Sequence, residues 1–176
     1  MSIYTKKGDK GETGLATGIR VSKNSLKIRA IGSVDELNSF LGFAKSFSED
    51  KKTTQIISDL QKNLLTIGSI LAGSGLRFSK SKTTKLEKTI DIWDKTLPTL
   101  KNFILPGGTH LAAQLHVCRS SARHAERKIT ALGEVEKVPD SIKMYMNRLS
   151  DFLFMFARFV NFNEKVKEEV WIGKKK

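Results

Sequence analysis

The chain has one cysteine, Cys118, among 176 residues. An internal disulfide is therefore excluded, and nothing demands an oxidising compartment. Set inside an expected helix, Cys118 reads as a small buried hydrophobe rather than a nucleophile. Long apolar runs are also lacking. A bilayer span needs about 18–20 apolar residues, and the richest stretch, Leu149 to Val160, is interrupted by Asp151 and Arg158. The start, Met1-Ser2-Ile3-Tyr4-Thr5-Lys6-Lys7-Gly8-Asp9, has no apolar signal core. The expectation is a soluble cytoplasmic protein with no membrane partner. Acidic residues are outnumbered, 18 against 31 Lys and Arg, which leaves a net charge of +13. Such an excess admits nucleic acid, an anionic membrane surface or small polyphosphates as partners. The basic residues are scattered, with no helix-turn-helix spacing and no aromatic stacking platform, so nucleic acid is not expected. A basic helical nucleic-acid-binding module stays as a rival reading that rests on charge alone.

The length suits one domain. Residues 1–24 carry Gly8, Gly11, Gly14 and Gly18 and show no helical period, so they read as a glycine-rich segment, ordered by itself or by a ligand. From residue 25 onward the helical period takes over. Val34, Leu37, Leu41 and Ala44 mark a first helix to about Phe47, and Ile56, Ile57, Leu60, Leu64, Ile67 and Leu71 a second from Thr53 to Ala72. Gly73-Ser74-Gly75 stops the second. Leu86, Ile90 and Trp93 mark a third from Thr83 to Lys95, ended by Thr96-Leu97-Pro98. Pro106-Gly107-Gly108 signals a turn, and Thr109 can cap a fourth helix from His110 to Leu132. A fifth is expected from Asp140 or Ser141 to Glu164, before a tail ending Gly173-Lys174-Lys175-Lys176 that should fray. With no convincing strand pair, the fold class is all-α, a five-helix bundle.

Three helices carry polar groups at one-face spacing. In the first these are Asp35, Asn38, Ser39 and Gly42, and in the fourth Arg119, Arg123 and Glu126 with Arg127 beside them. In the fifth they are Asn147, Asp151, Phe154 and Arg158. One reading is a set of solvated faces with weak pairs such as Arg123 with Glu126, each worth about 0.3–0.5 kcal/mol. The other sets the arginines on phosphates, which their planar forks match. The segment Thr5 to Thr13 is open in the same way. Its glycines and lysines suit a phosphate cradle, yet it lacks the Gly-x-x-x-x-Gly-Lys-Ser/Thr pattern and a preceding strand, so a flexible basic tail fits equally. His110, His116 and His124 do not have metal-site spacing.

Taken together, six segments resemble the ATP:cob(I)alamin adenosyltransferases of the propanediol-utilisation type. They are Thr5 to Thr13, Gly32 to Ser39, Gln61 to Gly68, Phe103 to Gly108, Arg119 to Arg127 and Tyr145 to Asp151. They stand in the family's order across residues 3 to about 161.

The resemblance implies a homotrimer of five-helix bundles with active sites between subunits. It implies transfer of the 5′-deoxyadenosyl group of ATP to cob(I)alamin, with triphosphate leaving. Residues 1–24 would wrap ATP through Thr5, Lys6, Gly8, Asp9, Gly11, Thr13 and Lys23, and residues 25–176 would form the bundle. Arg123, Glu126 and Asn147 of a neighbouring subunit would complete the nucleotide site, with Glu126 a contact for Mg2+; K+ is a further ion it admits. Asp35 would pair with Arg119 across the interface. Phe103 would cover the lower face of the corrin, the alternative being a core anchor. A cob(II)alamin reductase and an adenosylcobalamin-dependent enzyme are the partners implied, and an adenosylcobalamin carrier or regulator of the same fold is a further alternative. Two positions depart from the family: Arg123 is followed by His124 where many relatives have a second arginine, and Lys27 stands where an arginine is expected.

Overall fold

The computed structural model describes Tyr4 and residues 6–173. Five helices carry the fold: α1 (Leu26–Lys45), α2 (Lys51–Leu71), α3 (Ser81–Thr96), α4 (His110–Gly133) and α5 (Asp140–Asn163). The starts of α1, α2 and α4 have a local cause. Ser25 and Asp50 take up the orphan amides of Ile28 and Thr53, at 3.4 and 2.7 Å. Thr109 does the same for Ala112 at 3.1 Å. α2 stops where Gly73 adopts φ +93°, a left-handed turn that glycine takes without a Cβ clash.

α1 packs against α2 and α4, α4 against α5, and α5 against α3. The α1 seam is Ala30, Val34, Leu37, Leu41 and Ala44, all buried at helical spacing. α5 is buried on most of its circumference, from Ile142 to Val160, so it forms the centre of the bundle. Trp93 of α3 seals one side of it, with ring centroids 4.9–5.2 Å from Phe152, Phe156 and Phe159. Nearer the start of α5, the buried Tyr145 hydroxyl accepts a hydrogen bond from Asn63 of α2 at 3.1 Å.

Two short antiparallel strand pairs correct the expectation of no strands. β1 (Glu12–Gly14) pairs with β2 (Arg20–Ser22), which makes the glycine-rich segment a hairpin. The hairpin is docked on the bundle, since Ala16 donates its amide to the Ala72 carbonyl at 3.2 Å. β3 (Phe103–Ile104) pairs with β4 (Val170–Trp171), so the segment after α5 returns to the loop before α4 instead of fraying. Residues 174–176 lie outside the described residues.

Two side chains of α5 hold that loop. Asn161, 2% exposed, accepts from the Thr109 amide and donates to the Gly107 carbonyl, at 3.0 and 3.2 Å. It packs so closely on Gly108 (φ +106°) that a Cβ there would meet its amide at 2.1 Å. Arg158, 3% exposed, donates to the Pro98 carbonyl at 2.7 Å and to Glu168 at 3.1 Å. Arg158 therefore belongs neither to a solvated stripe nor to a phosphate site, because its guanidinium points inward.

Candidate functional site

Three recesses hold the chemistry-bearing residues. The first lies between the hairpin and the α1/α2 pair, a groove of about 470 Å³ lined by Thr13, Asp35 and Asn38 among others. The hairpin's own bonds shape this side. Lys23 donates its amide to the Gly11 carbonyl at 2.8 Å, and Arg20 donates to the Lys7 carbonyl at 2.7 Å. A Cβ built on Gly8 would sit 3.2 Å from Lys23 Nζ, so Gly8 and Lys23 are neighbours. Gly11 (φ +84°) turns the backbone between them. Lys6 and Asp9 are exposed on the same segment, and Thr5 lies outside the described residues. This is a folded, glycine-shaped basic surface rather than a free tail.

The second recess, about 280 Å³, lies between α4 and α5 and is lined by Arg119, Arg123, Ser150, Asp151, Phe154 and Met155. Beside it, Asn147 of α5 donates to the Glu126 carboxylate of α4 at 2.7 Å. Glu126 is thus aligned by α5, and among the described residues no ion pair joins it to Arg123. Arg119 is half-buried, and its buried Nε has no hydrogen-bond partner among the described residues. Burial, and then the nearby Arg123 charge, lower its pKa. Two guanidinium groups line this recess, and its one carboxylate, Asp151, is engaged by Arg148 at 2.7 Å, so the pair suits an anion that both can share.

The third recess is a cleft of about 830 Å³ lined by Phe103, His116, Arg119, Phe154 and Trp171, together with residues 100–102, 104, 106, 172 and 173. Arg119 lines both this cleft and the arginine recess, so the two adjoin. Phe103 is 79% exposed, which excludes the core-anchor reading. Its position comes from the β3–β4 pair, where it faces Trp171 edge-on with centroids 6.5 Å apart. His116, buried at the cleft wall, has its pKa pushed down to about 4 by burial and then by Arg119, so it is neutral near pH 7. Cys118 is buried, and burial pushes its thiol up to about 12, in keeping with a packing role.

Within one chain the expected site residues fall into two groups. Gly8, Gly11, Thr13 and Lys23 gather on the hairpin side, while Arg119, Arg123, Glu126 and Asn147 gather between α4 and α5. Asp35 and Arg119 are not paired with each other. Lys27 makes an ion pair with Glu136 at 2.6 Å, and His124 is exposed. The sequence reading missed Trp171 and the Arg158–Glu168 pair. Trp171 and Glu168 belong to the returning tail, and the irregular chain beyond α5 leaves no periodic signal. Among the described residues, no helix is long and apolar enough to cross a membrane.

A family model described as cobalamin adenosyltransferase matches residues 3–160. The chain is 40% identical over 172 residues to a corrinoid adenosyltransferase of Bacillus subtilis, covering 92% of this chain and 87% of that one. It is 42% identical over 163 residues to a cobalamin adenosyltransferase of Cupriavidus metallidurans, covering 90% and 88%. Among solved structures, it is similar to a variant PduO-type ATP:corrinoid adenosyltransferase from Lactobacillus reuteri complexed with cobalamin and ATP. That match has a TM-score of 0.94 and 35% identity and covers 98% of this chain and 100% of the other. A second variant of the Lactobacillus reuteri protein, complexed with ATP, gives a TM-score of 0.92 at 37% identity, covering 97% and 100%.

Proposed function

This chain belongs to the cobalamin adenosyltransferase family, and on that premise we propose that it transfers the 5′-deoxyadenosyl group of ATP to the cobalt of cob(I)alamin, releasing triphosphate. The observation that carries the reading is the likeness, over 98% of the chain, to an enzyme complexed with both substrates. The geometry agrees with it. A cleft walled by an exposed phenylalanine adjoins a recess lined by Arg119 and Arg123, which suits a flat, largely apolar substrate beside a polyphosphate.

Cob(I)alamin is itself a strong nucleophile, so the protein need not supply a base. Its tasks are to align cobalt with the ribose C5′ and to stabilise the charge of the leaving triphosphate. We assign the second task to Arg123 and to the lysines of the hairpin. Phe103 covers the lower face of the corrin and keeps an axial ligand off cobalt. The Glu126 carboxylate, held by Asn147, is the oxygen donor offered to Mg2+, which otherwise takes its ligands from phosphate and water. Intact triphosphate should appear in step with alkylated corrinoid. Release of phosphate or diphosphate without a cobalt–carbon product would contradict this function.

The active unit is a homotrimer in which the hairpin of one subunit meets the α4–α5 recess of the next. In support, a buried Arg119 Nε without a partner is rare in a complete structure, and the exposed Asp35 carboxylate of a neighbour would satisfy it. Asp35→Arg alone should reduce activity about 10–100-fold, the scale of a lost buried charge pair. The double variant Asp35→Arg, Arg119→Asp should recover part of that loss. Sedimentation should show a trimer for the wild type and the double variant. A fully active monomer would sink the interface.

A further inference from the structure

We infer that Arg158 is a positioning residue for the corrinoid side of the reaction: it ties the segment after α5 to the loop before α4, so that Phe103 and Trp171 form one fixed wall of the 830 Å³ cleft. This deepens the adenosyl-transfer reading and rests on it.

The tie is built on a buried positive charge. The Arg158 side chain is 3% exposed and that of Glu168 20%. Arg158 Nε sits 3.1 and 3.2 Å from the two carboxylate oxygens of Glu168, while Nη2 donates to the Pro98 carbonyl at 2.7 Å. An arginine stays charged at any ordinary pH, so a buried one must keep its acceptors. Its acceptors here come from two segments 70 residues apart. Five residues beyond Pro98 stands Phe103, and three beyond Glu168 stands Trp171. These two are the paired residues of β3 and β4. A second bond, from the Leu105 amide to the Glu169 carbonyl at 2.8 Å, continues the ladder. The strands themselves are only two residues each, too short to persist by their own hydrogen bonds. Arg158 supplies from α5, buried on most of its circumference, the fixed point that the pair lacks. Phe103 is exposed and has little packing to hold it otherwise.

Glu168→Ala tests this without touching the bundle core. Acrylamide quenching of Trp171 is read first, without substrates, with Trp171→Phe as the control that removes its share from that of the buried Trp93. Release of the tail should raise quenching of Trp171. In turnover, the KM for cob(I)alamin should rise about tenfold while the KM for ATP stays within about twofold, since only corrinoid binding loses a wall. The melting temperature should fall only modestly, because release of the tail lets water reach the stranded Arg158 guanidinium. Glu168→Gln, whose amide oxygen still accepts from Arg158, should return most of the corrinoid KM. Unchanged quenching in Glu168→Ala would overturn the tie. Raised quenching with an unaltered corrinoid KM, or an equal rise in both KM values with a large fall in melting temperature, would overturn the positioning role. A wild-type protein that forms no adenosylated corrinoid would fail the functional reading instead, and the quenching result would still report on the tie.

Discussion

Arg123→Ala should lower kcat/KM for ATP by about 10²–10³-fold, the scale on which a single preorganised donor to a developing negative charge acts, with helix content and melting temperature unchanged. Arg123 is exposed on α4 and makes no ion pair among the described residues, so the fold does not depend on it. The loss should fall on kcat as well as KM, because triphosphate becomes a free anion only as the C5′–oxygen bond breaks. Glu126→Ala should act differently. Its carboxylate accepts from Asn147 at 2.7 Å, so the variant also frees Asn147. Its deficit should shrink with rising Mg2+ if the carboxylate holds the ion, whereas that of Arg123→Ala should not. Circular dichroism and initial rates over a range of Mg2+ decide the matter. Wild-type efficiency in both variants would mean that the stripe is only a solvated face.

Phe103→Ala should abolish most turnover that starts from cob(II)alamin and a weak reductant, by about 10²-fold or more, while sparing turnover from pre-reduced cob(I)alamin. Removing the lower axial ligand makes cob(II)alamin easier to reduce, and a phenylalanine at that face excludes both water and the nucleotide tail. A buried phenylalanine would cost about 3–5 kcal/mol on truncation. Phe103 is 79% exposed, so the melting temperature should hardly move. The spectral change from five- to four-coordinate cob(II)alamin in the presence of ATP is the direct readout. Its persistence at the wild-type level in Phe103→Ala would show that the ring does not cover the cobalt.

The helices were legible because each buries a stripe at a period the sequence displays. Leu37 and Leu41 of α1 and Leu60 and Leu64 of α2 are buried where that period sets them. The cap at Thr109 follows from side-chain chemistry and needed no tertiary knowledge. The strands were not legible, since two or three residues carry no period, and β3 and β4 are held by groups far away in sequence. Arg158 shows the same limit. Its spacing from Asn147, Asp151 and Phe154 places it on a polar stripe, but a carboxylate arriving from the tail draws it inward. For the site, residue type told more than pattern. The pairing of Asn147 with Glu126 and the neighbourhood of Gly8 and Lys23 appear only once the helices and hairpin are packed. The open question at Phe103, anchor or exposed wall, could be closed only by its burial.

The optical spectrum of an anaerobic incubation with ATP, Mg2+ and fully reduced cobalamin decides whether this chain joins the adenosyl group of ATP to cobalt. The cob(I)alamin bands should disappear and the adenosylcobalamin spectrum grow, at a rate proportional to protein and dependent on ATP. The product should revert on exposure to light, as a cobalt–carbon bond does. A cob(I)alamin spectrum that persists with ATP present, at protein concentrations comparable to the corrinoid, would contradict adenosyl transfer.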